Sequence, residues 1–169
     1  SDFRIQYLYP ASILSSVIDI QAGRITSISL HLQNRSTIIP YPNFSIKMGC
    51  APNAGLSSNS GFVPGLRVVY ESPEFTIPET DADGWFTIDL QSGYVWDGTS
   101  ALMLEFCFDG ESPLGGNDNV FMLEYPAPAS ERYNTVIWSQ DSPDPNEVGC
   151  NLLAVNEMRN TFCLPEIRF

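Results

Sequence analysis

Few residues in this 169-residue chain have the types and spacing that chemistry demands. His31 is the single histidine, so a Ser-His-Asp or Cys-His mechanism would have to run through it. It falls between Ser29 and Gln33 on the polar side of an alternating run, where a solvated ring is expected. The Gly-x-Ser-x-Gly, His-Glu-x-x-His and Gly-x-x-x-x-Gly-Lys-Ser/Thr patterns do not occur, which removes the usual support for three hydrolase classes. Glycoside hydrolysis needs two carboxyl groups a sugar's width apart with pKa values driven apart. Glu105 lies inside an apolar run and has Asp89 and Asp109 as candidate neighbours. A covered carboxylate more commonly fills a polar gap or pairs with an arginine, and that is the reading preferred here. The chain is therefore expected not to be an enzyme.

Calcium is the stronger chemical candidate, because hard cations collect carboxylate and amide oxygens on loops. Three clusters qualify: Asp81 with Asp83 before Gly84; Asn117-Asp118-Asn119 beside Asp109 and Glu111; and Asp141, Asp144, Asn146 and Glu147. None is an EF-hand, and Asp, Asn and Gly gather at turns for geometric reasons alone. No cofactor other than calcium is suggested. A third chemistry is sugar stacking, for which Trp85, Tyr94 and Trp96 are the leading candidates, with Tyr133 and Trp138 behind them. Trp85 and Trp96 flank turns, yet aromatic rings also carry much of the burial in a two-sheet core.

Charge narrows the partners. The formal charge is −12, from 8 Lys and Arg against 20 Asp and Glu. It is unevenly spread: residues 71–147 hold sixteen acids and the single base Arg132, while residues 1–70 are slightly basic. Affinity for nucleic acid or an anionic bilayer comes from Lys and Arg, so nucleic acid is excluded as a partner. A basic partner or divalent cations remain compatible, and acidic loops also keep a protein in solution.

No apolar run reaches the ~18 residues needed to span a bilayer, so membrane insertion is not expected. Ser1 starts without an initiator Met or a signal-peptide pattern, which suggests a processed or excised chain. Four cysteines, Cys50, Cys107, Cys150 and Cys163, include no Cys-x-x-Cys pair and have one His to assist them. Structural zinc is thus disfavoured. An even cysteine count with a single Lys, Lys47, fits a secreted domain with two disulfides. Four cysteines allow three connectivities, which spacing does not resolve.

These residues must be positioned by strands. Charged residues are only 17% of the chain and Gly and Pro total 25, a poor composition for a helical bundle. Arg4–Tyr9 is β-prone and ends at Pro10. Ile13, Leu14, Val17 and Ile18 recur at helical spacing behind Ser12 as an N-cap, giving one short helix. Period-2 alternation then marks strands around Ser27–Gln33, Phe44–Met48, Leu66–Tyr70, Phe75–Ile77 and Phe86–Leu90. Ala101–Phe108 is almost wholly apolar, as expected of a central strand covered on both faces. Val120–Tyr125, Thr135–Trp138 and Pro165–Phe169 complete the set. About ten strands with one helix predict an all-β, two-sheet antiparallel sandwich, jelly-roll-like, in one domain over residues 1–169. Long polar loops at 51–64 and 139–150 are places for binding or variation.

Five phrases in order carry a resemblance: Arg4-Ile5-Gln6-Tyr7-Leu8-Tyr9, Ala22-Gly23-Arg24-Ile25-Thr26-Ser27-Ile28, Asn43-Phe44-Ser45-Ile46-Lys47-Met48-Gly49, Tyr94-Val95-Trp96-Asp97-Gly98 and Leu104-Glu105-Phe106-Cys107-Phe108-Asp109. Together they resemble a domain of large secreted surface proteins of Bacteroidetes, and the likeness spans most of the chain. The end, Leu164-Pro165-Glu166-Ile167-Arg168-Phe169, is similar to an Arg-Pro-Asn-Ile-Arg-Phe phrase of that group, with the first Arg and the Asn replaced and Cys163 added. The resemblance implies an extracellular β-sandwich module of type IX-exported adhesin-like chains, with no catalytic residues to carry over. It implies partners such as a cell-surface glycan or protein, or neighbouring domains of one assembly; a carbohydrate-binding module is the alternative. It also implies a Cys107–Cys150 disulfide, leaving Cys50 with Cys163.

Overall fold

The computed structural model describes residues 2–35, 40–52, 55–56, 60–110, 118–124, 135–142, 144, 146–155, 157–159 and 163–169. Asn117, Glu111 and Tyr133 fall outside these residues, as does the side chain of Cys163.

The described residues form β1 (Phe3–Tyr9), α1 (Ala11–Ser16), β2 (Gly23–Asn34), β3 (Tyr41–Ala51), β4 (Arg67–Phe75), β5 (Trp85–Trp96) and β6 (Ala101–Phe108). These are followed by β7 (Asn119–Val120), β8 (Met122–Glu124), β9 (Val136–Gln140), β10 (Glu157–Arg159), β11 (Cys163–Pro165) and β12 (Ile167–Arg168). The front sheet runs β10-β9-β1-β6-β3-β4, and the back sheet runs β12-β2-β5 with β7 also on β2. The pairs β3–β4, β2–β5 and β1–β6 are antiparallel and nested within one another. A long hairpin wound across two sheets gives this nesting, so the jelly-roll-like sandwich expected from alternation is the architecture found.

Alternation decides the layers. On β1, Ile5 and Tyr9 face the core with Leu102, Leu104 and Phe106 of β6, Phe44, Ile46 and Met48 of β3, and Ile28, Leu30, Phe86 and Ile88 of the back sheet. Burying each such aliphatic side chain stabilises the fold by about 1.5–3 kcal/mol. Phe44 and Phe75 stack at 4.2 Å and 15°. The opposite face of the front sheet is also covered: Leu8, Ala101, Met103 and Ile137 pack under Leu56 and Phe62 of the 52–66 loop. β6 is therefore buried on both faces, as its almost wholly apolar run requires.

Local chemistry corrects several boundaries. Pro10, not Ser12, is the N-cap of α1, and its carbonyl accepts from Ile13 and Leu14 N–H at 3.0 and 3.1 Å. Ser12 lies inside the helix, where its own carbonyl accepts the Ser16 hydroxyl at 2.5 Å. Of the expected Leu66–Tyr70 and Phe75–Ile77 runs, Arg67–Tyr70 and Phe75 fall in the single strand β4, with Leu66 and Ile77 outside it; Pro73 is tolerated because β4 is the edge of the front sheet. Val120–Tyr125 and Pro165–Phe169 are each broken by a corner. There Phe121 N–H donates to His31 O at 2.8 Å and Glu166 N–H to Phe121 O at 2.8 Å.

The loop at 149–155 is held to the front sheet by a disulfide between Cys107 of β6 and Cys150. Gly149 makes this approach possible: its φ is +45°, and a Cβ there would lie 1.8 Å from Asp109 Oδ1. The second expected disulfide is corrected. Cys50 is a free, exposed thiol at the end of β3, accepting the Tyr94 hydroxyl at 3.2 Å.

Candidate functional site

Glu105 is fully buried on the loop-covered face of β6. In-register pairing sets it between Gln6 of β1 and Lys47 of β3. Its carboxylate accepts Arg4 Nε at 3.0 Å and Gln6 Nε2 at 2.6 Å, and it pairs with Arg4 Nη2 at 2.9 Å and Lys47 Nζ at 2.8 Å. The same arginine donates to Leu152 O at 2.7 Å and lies 4.2 Å from the Phe62 ring centre. Gln6 exchanges two bonds with the Val63 backbone, at 2.9 and 2.8 Å. The node therefore ties both covering loops to the sheet. Asp89 pairs with Ser27 in the back sheet, so no second carboxylate from that strand faces Glu105. Both of its carboxylate oxygens are thus engaged, one by Arg4 and Gln6 and the other by Lys47.

Several carboxylates of the acidic clusters accept N–H groups of the chain, two of them within their own turns. Asp81 Oδ1 accepts the N–H groups of Asp83 and Trp85, both at 2.9 Å, and closes a turn through Gly84 at φ +87°. Asp141 Oδ1 accepts Asp2 N–H at 2.8 Å. Asp144 Oδ1 accepts the backbone and side-chain N–H groups of Asn146, both at 2.9 Å, which hold its carboxyl below the usual range. Asp97 shows the same economy: the Ser100 hydroxyl and N–H, with Thr99 N–H, hold it far below the carboxylate norm. Among the described residues no three His, Cys, Asp or Glu side chains converge as a metal site.

The stacking platform expected of Trp85, Tyr94 and Trp96 is not assembled. Trp96 is 1% exposed in the core, with its indole N–H on Ser100 O at 2.9 Å. Trp85 is 7% exposed. It is covered by His31, stacked at 4.9 Å and 15°, and by the Arg168 guanidinium, 3.8 Å from its ring centre. The two tryptophans pair with His31 and Gly23, eight positions apart on β2, which sets them roughly 26 Å from each other, and Trp96 packs in the inter-sheet core while Trp85 stacks on His31. Tyr94 is half-buried, and burial together with its bond to Cys50 pushes its phenol up to about 12. His31 is likewise not the solvated ring expected. Its Nδ1 is 2.6 Å from Glu166 Oε2, and its ring lies 4.3 Å from Phe121. It locks the corner where β2 exchanges β12 for β7.

What alternation did not reveal is a cavity of about 420 Å³ between the sheets. Phe3, Ile5 and Tyr7 of β1 with Phe106 and Phe108 of β6 form one wall, and Leu30, Leu32, Phe86 and Ile88 form the other. Pairing of β2 with β5 ends at His31–Trp85, so among the described residues the back layer beyond Leu32 is β2 and the short β7. The sheets leave a half-open cleft there that the described side chains do not fill. Tyr41, Pro42, Asp109, Gly110, Asp118 and Gln140 also border it. Tyr41 donates to Asp118 Oδ2 at 2.5 Å, and burial, with that bond and the aspartate's charge, raises its pKa well above the phenol norm. Burial raises Tyr7 in the same direction. Two expected calcium ligands, Asp109 and Asp118, both border this cavity, and Asp109 also accepts Asn43 Nδ2 at 2.9 Å.

No family model, no curated protein and no solved structure matches the chain. Its class rests on the fold itself: an all-β, two-sheet sandwich with a Cys107–Cys150 disulfide.

Proposed function

We propose that this chain is a non-enzymatic extracellular module acting in adhesion or surface architecture on a bacterial cell. The observation that carries the reading is the Cys107–Cys150 clamp over the front sheet, since persistent disulfides belong to oxidising compartments. The buried charges support it: Arg4, Glu105 and Lys47 are consumed in fastening loops to strands. Its partners are a cell-surface glycan or protein, or neighbouring domains of the same assembly. The resemblance to type IX-exported surface domains supports the same setting. Beads coated with the oxidised domain are expected to retain target cells or purified surface components, while soluble glycans and peptides stay uncleaved. Turnover of either substrate that Glu105→Gln eliminates would sink the proposal, as would an absence of retention.

A further inference from the structure

We infer that the cleft between the two sheets binds an uncharged molecule of two fused rings carrying a carbonyl oxygen, which accepts a hydrogen bond from the Tyr7 phenol. The inference goes beyond the surface role and stands independently of it. Tyr7 packs against the inter-sheet core beside Ile5 and lines the cleft. Its ring meets Phe106 edge-on, with centres 6.3 Å apart at 71°, so packing fixes its position. What its hydroxyl lacks is a partner. Tyr9 donates to Pro165 O at 3.0 Å, Tyr41 to Asp118 and Tyr94 to Cys50. The Tyr7 hydroxyl makes no hydrogen bond among the described residues. Burial alone, with no bond contributing, holds its pKa far above the phenol norm, which means that water is kept from it. Buried hydroxyls are nearly always bonded, and one left unbonded costs free energy that a ligand oxygen recovers.

The lining selects the rest of the molecule. Ile5, Leu30, Ile88 and Phe106 offer no hydrogen-bonding side chains, so the body is apolar. A ligand hydroxyl would accept from Tyr7 but leave its own proton facing those walls; a carbonyl carries no such proton. Asp109 and Asp118 are the charged residues of the described lining, which holds no Lys, Arg or His, and they repel an anion. Both already accept, from Asn43 and Tyr41, and a neutral ligand asks nothing of them. Size sets the ring count. The cleft offers about 420 Å³, within the roughly 300–1,000 Å³ of small-molecule sites. An apolar cavity of about 150 Å³ takes up one benzene, so a half-open space about three times as large holds two fused rings and a carbonyl group.

The test is equilibrium dialysis of the full, oxidised chain against methyl naphthyl ketone. Isopropenylnaphthalene, in which a methylene replaces the carbonyl oxygen at the same shape, and naphthoate are the controls. The ketone is expected to saturate one site and to bind at least ~10-fold more tightly than naphthoate at low salt. Tyr7→Phe should weaken the ketone at least ~5-fold, while the hydrocarbon, which makes no hydrogen bond, keeps its affinity. Comparing the two ligands across the same substitution cancels their different hydration. Because the hydroxyl has no partner to lose, Tyr7→Phe without ligand should melt no lower than the parent. An absence of saturable ketone binding overturns the inference, as does naphthoate binding as tightly as the ketone. A substitution that weakens both naphthalenes alike, or neither, overturns it too. A ligand-free Tyr7→Phe that melts lower or does not fold shows a hydroxyl already bonded within the chain and overturns it equally.

Discussion

Replacing Glu105 by Gln changes a single atom of the side chain and tests what holds the covered face of the front sheet together. The carboxylate is 0% exposed and meets Arg4 Nη2 at 2.9 Å and Lys47 Nζ at 2.8 Å, whose side chains are 11% and 19% exposed. Amidation leaves two nearly buried cations without a counter-charge. It also turns one acceptor oxygen into an N–H donor facing the donors of Arg4, Gln6 or Lys47. Removing one partner from a buried ion pair costs about 3–5 kcal/mol. At about 2–4 °C per kcal/mol for a domain of this size, Tm should fall by about 6–20 °C. Urea unfolding followed by tryptophan fluorescence measures the loss directly. Its origin is checked by the triple variant Arg4→Met/Lys47→Met/Glu105→Leu. Removing all the charges together should recover part of the stability, the remainder reflecting the lost Arg4 bond to Leu152 O. A loss below ~1 kcal/mol in Glu105→Gln refutes the node as a fastening device. A triple variant less stable than Glu105→Gln refutes uncompensated charge as the cause.

The Cys107–Cys150 bridge closes a span of 43 residues, for which chain entropy gives about 4 kcal/mol. Cys107→Ala/Cys150→Ala should therefore lower Tm by about 8–16 °C, and an unchanged melting curve would show that the covering loop holds without it. Tyr7, Tyr41 and Tyr94 all have raised pKa values in the folded chain, Tyr94 reaching about 12. A raised folded pKa contributes stability fully present below the unfolded value of about 10 and lost as pH rises through the folded one. Stability should accordingly drop across pH 10–12, more steeply in the parent than in Tyr94→Phe. Ultraviolet titration showing all seven tyrosines ionising together near pH 10 in the folded protein would contradict this.

Alternation made the architecture legible because a strand shows opposite faces at successive residues. Phe44, Ile46 and Met48 point inward for that reason, and the almost wholly apolar run Ala101–Phe108 announced cover on both sides. Distance along the strand could have separated Trp85 from Trp96, since the two rings stand at opposite ends of β5, roughly 26 Å apart. It was overridden by their position beside turns. The partner of Glu105 was legible in kind, an arginine, but not in identity: Arg4 lies 101 positions away and Lys47 arrives from a third strand. Register across strands is a long-range property that no local spacing encodes.

By itself, then, the sequence determined the all-β class, the inward faces, the buried strand and an acidic balance concentrated in residues 71–147, since these follow from periodicity and composition. The tertiary structure alone decided that Asp81 and Asp144 cap turns, that Asp141 accepts the Asp2 N–H, that His31 locks a corner under Trp85 and Phe121, and that Cys50 stays a thiol. It alone left a cavity bordered by Asp109 and Asp118, because void space depends on how closely two sheets approach and not on any single strand.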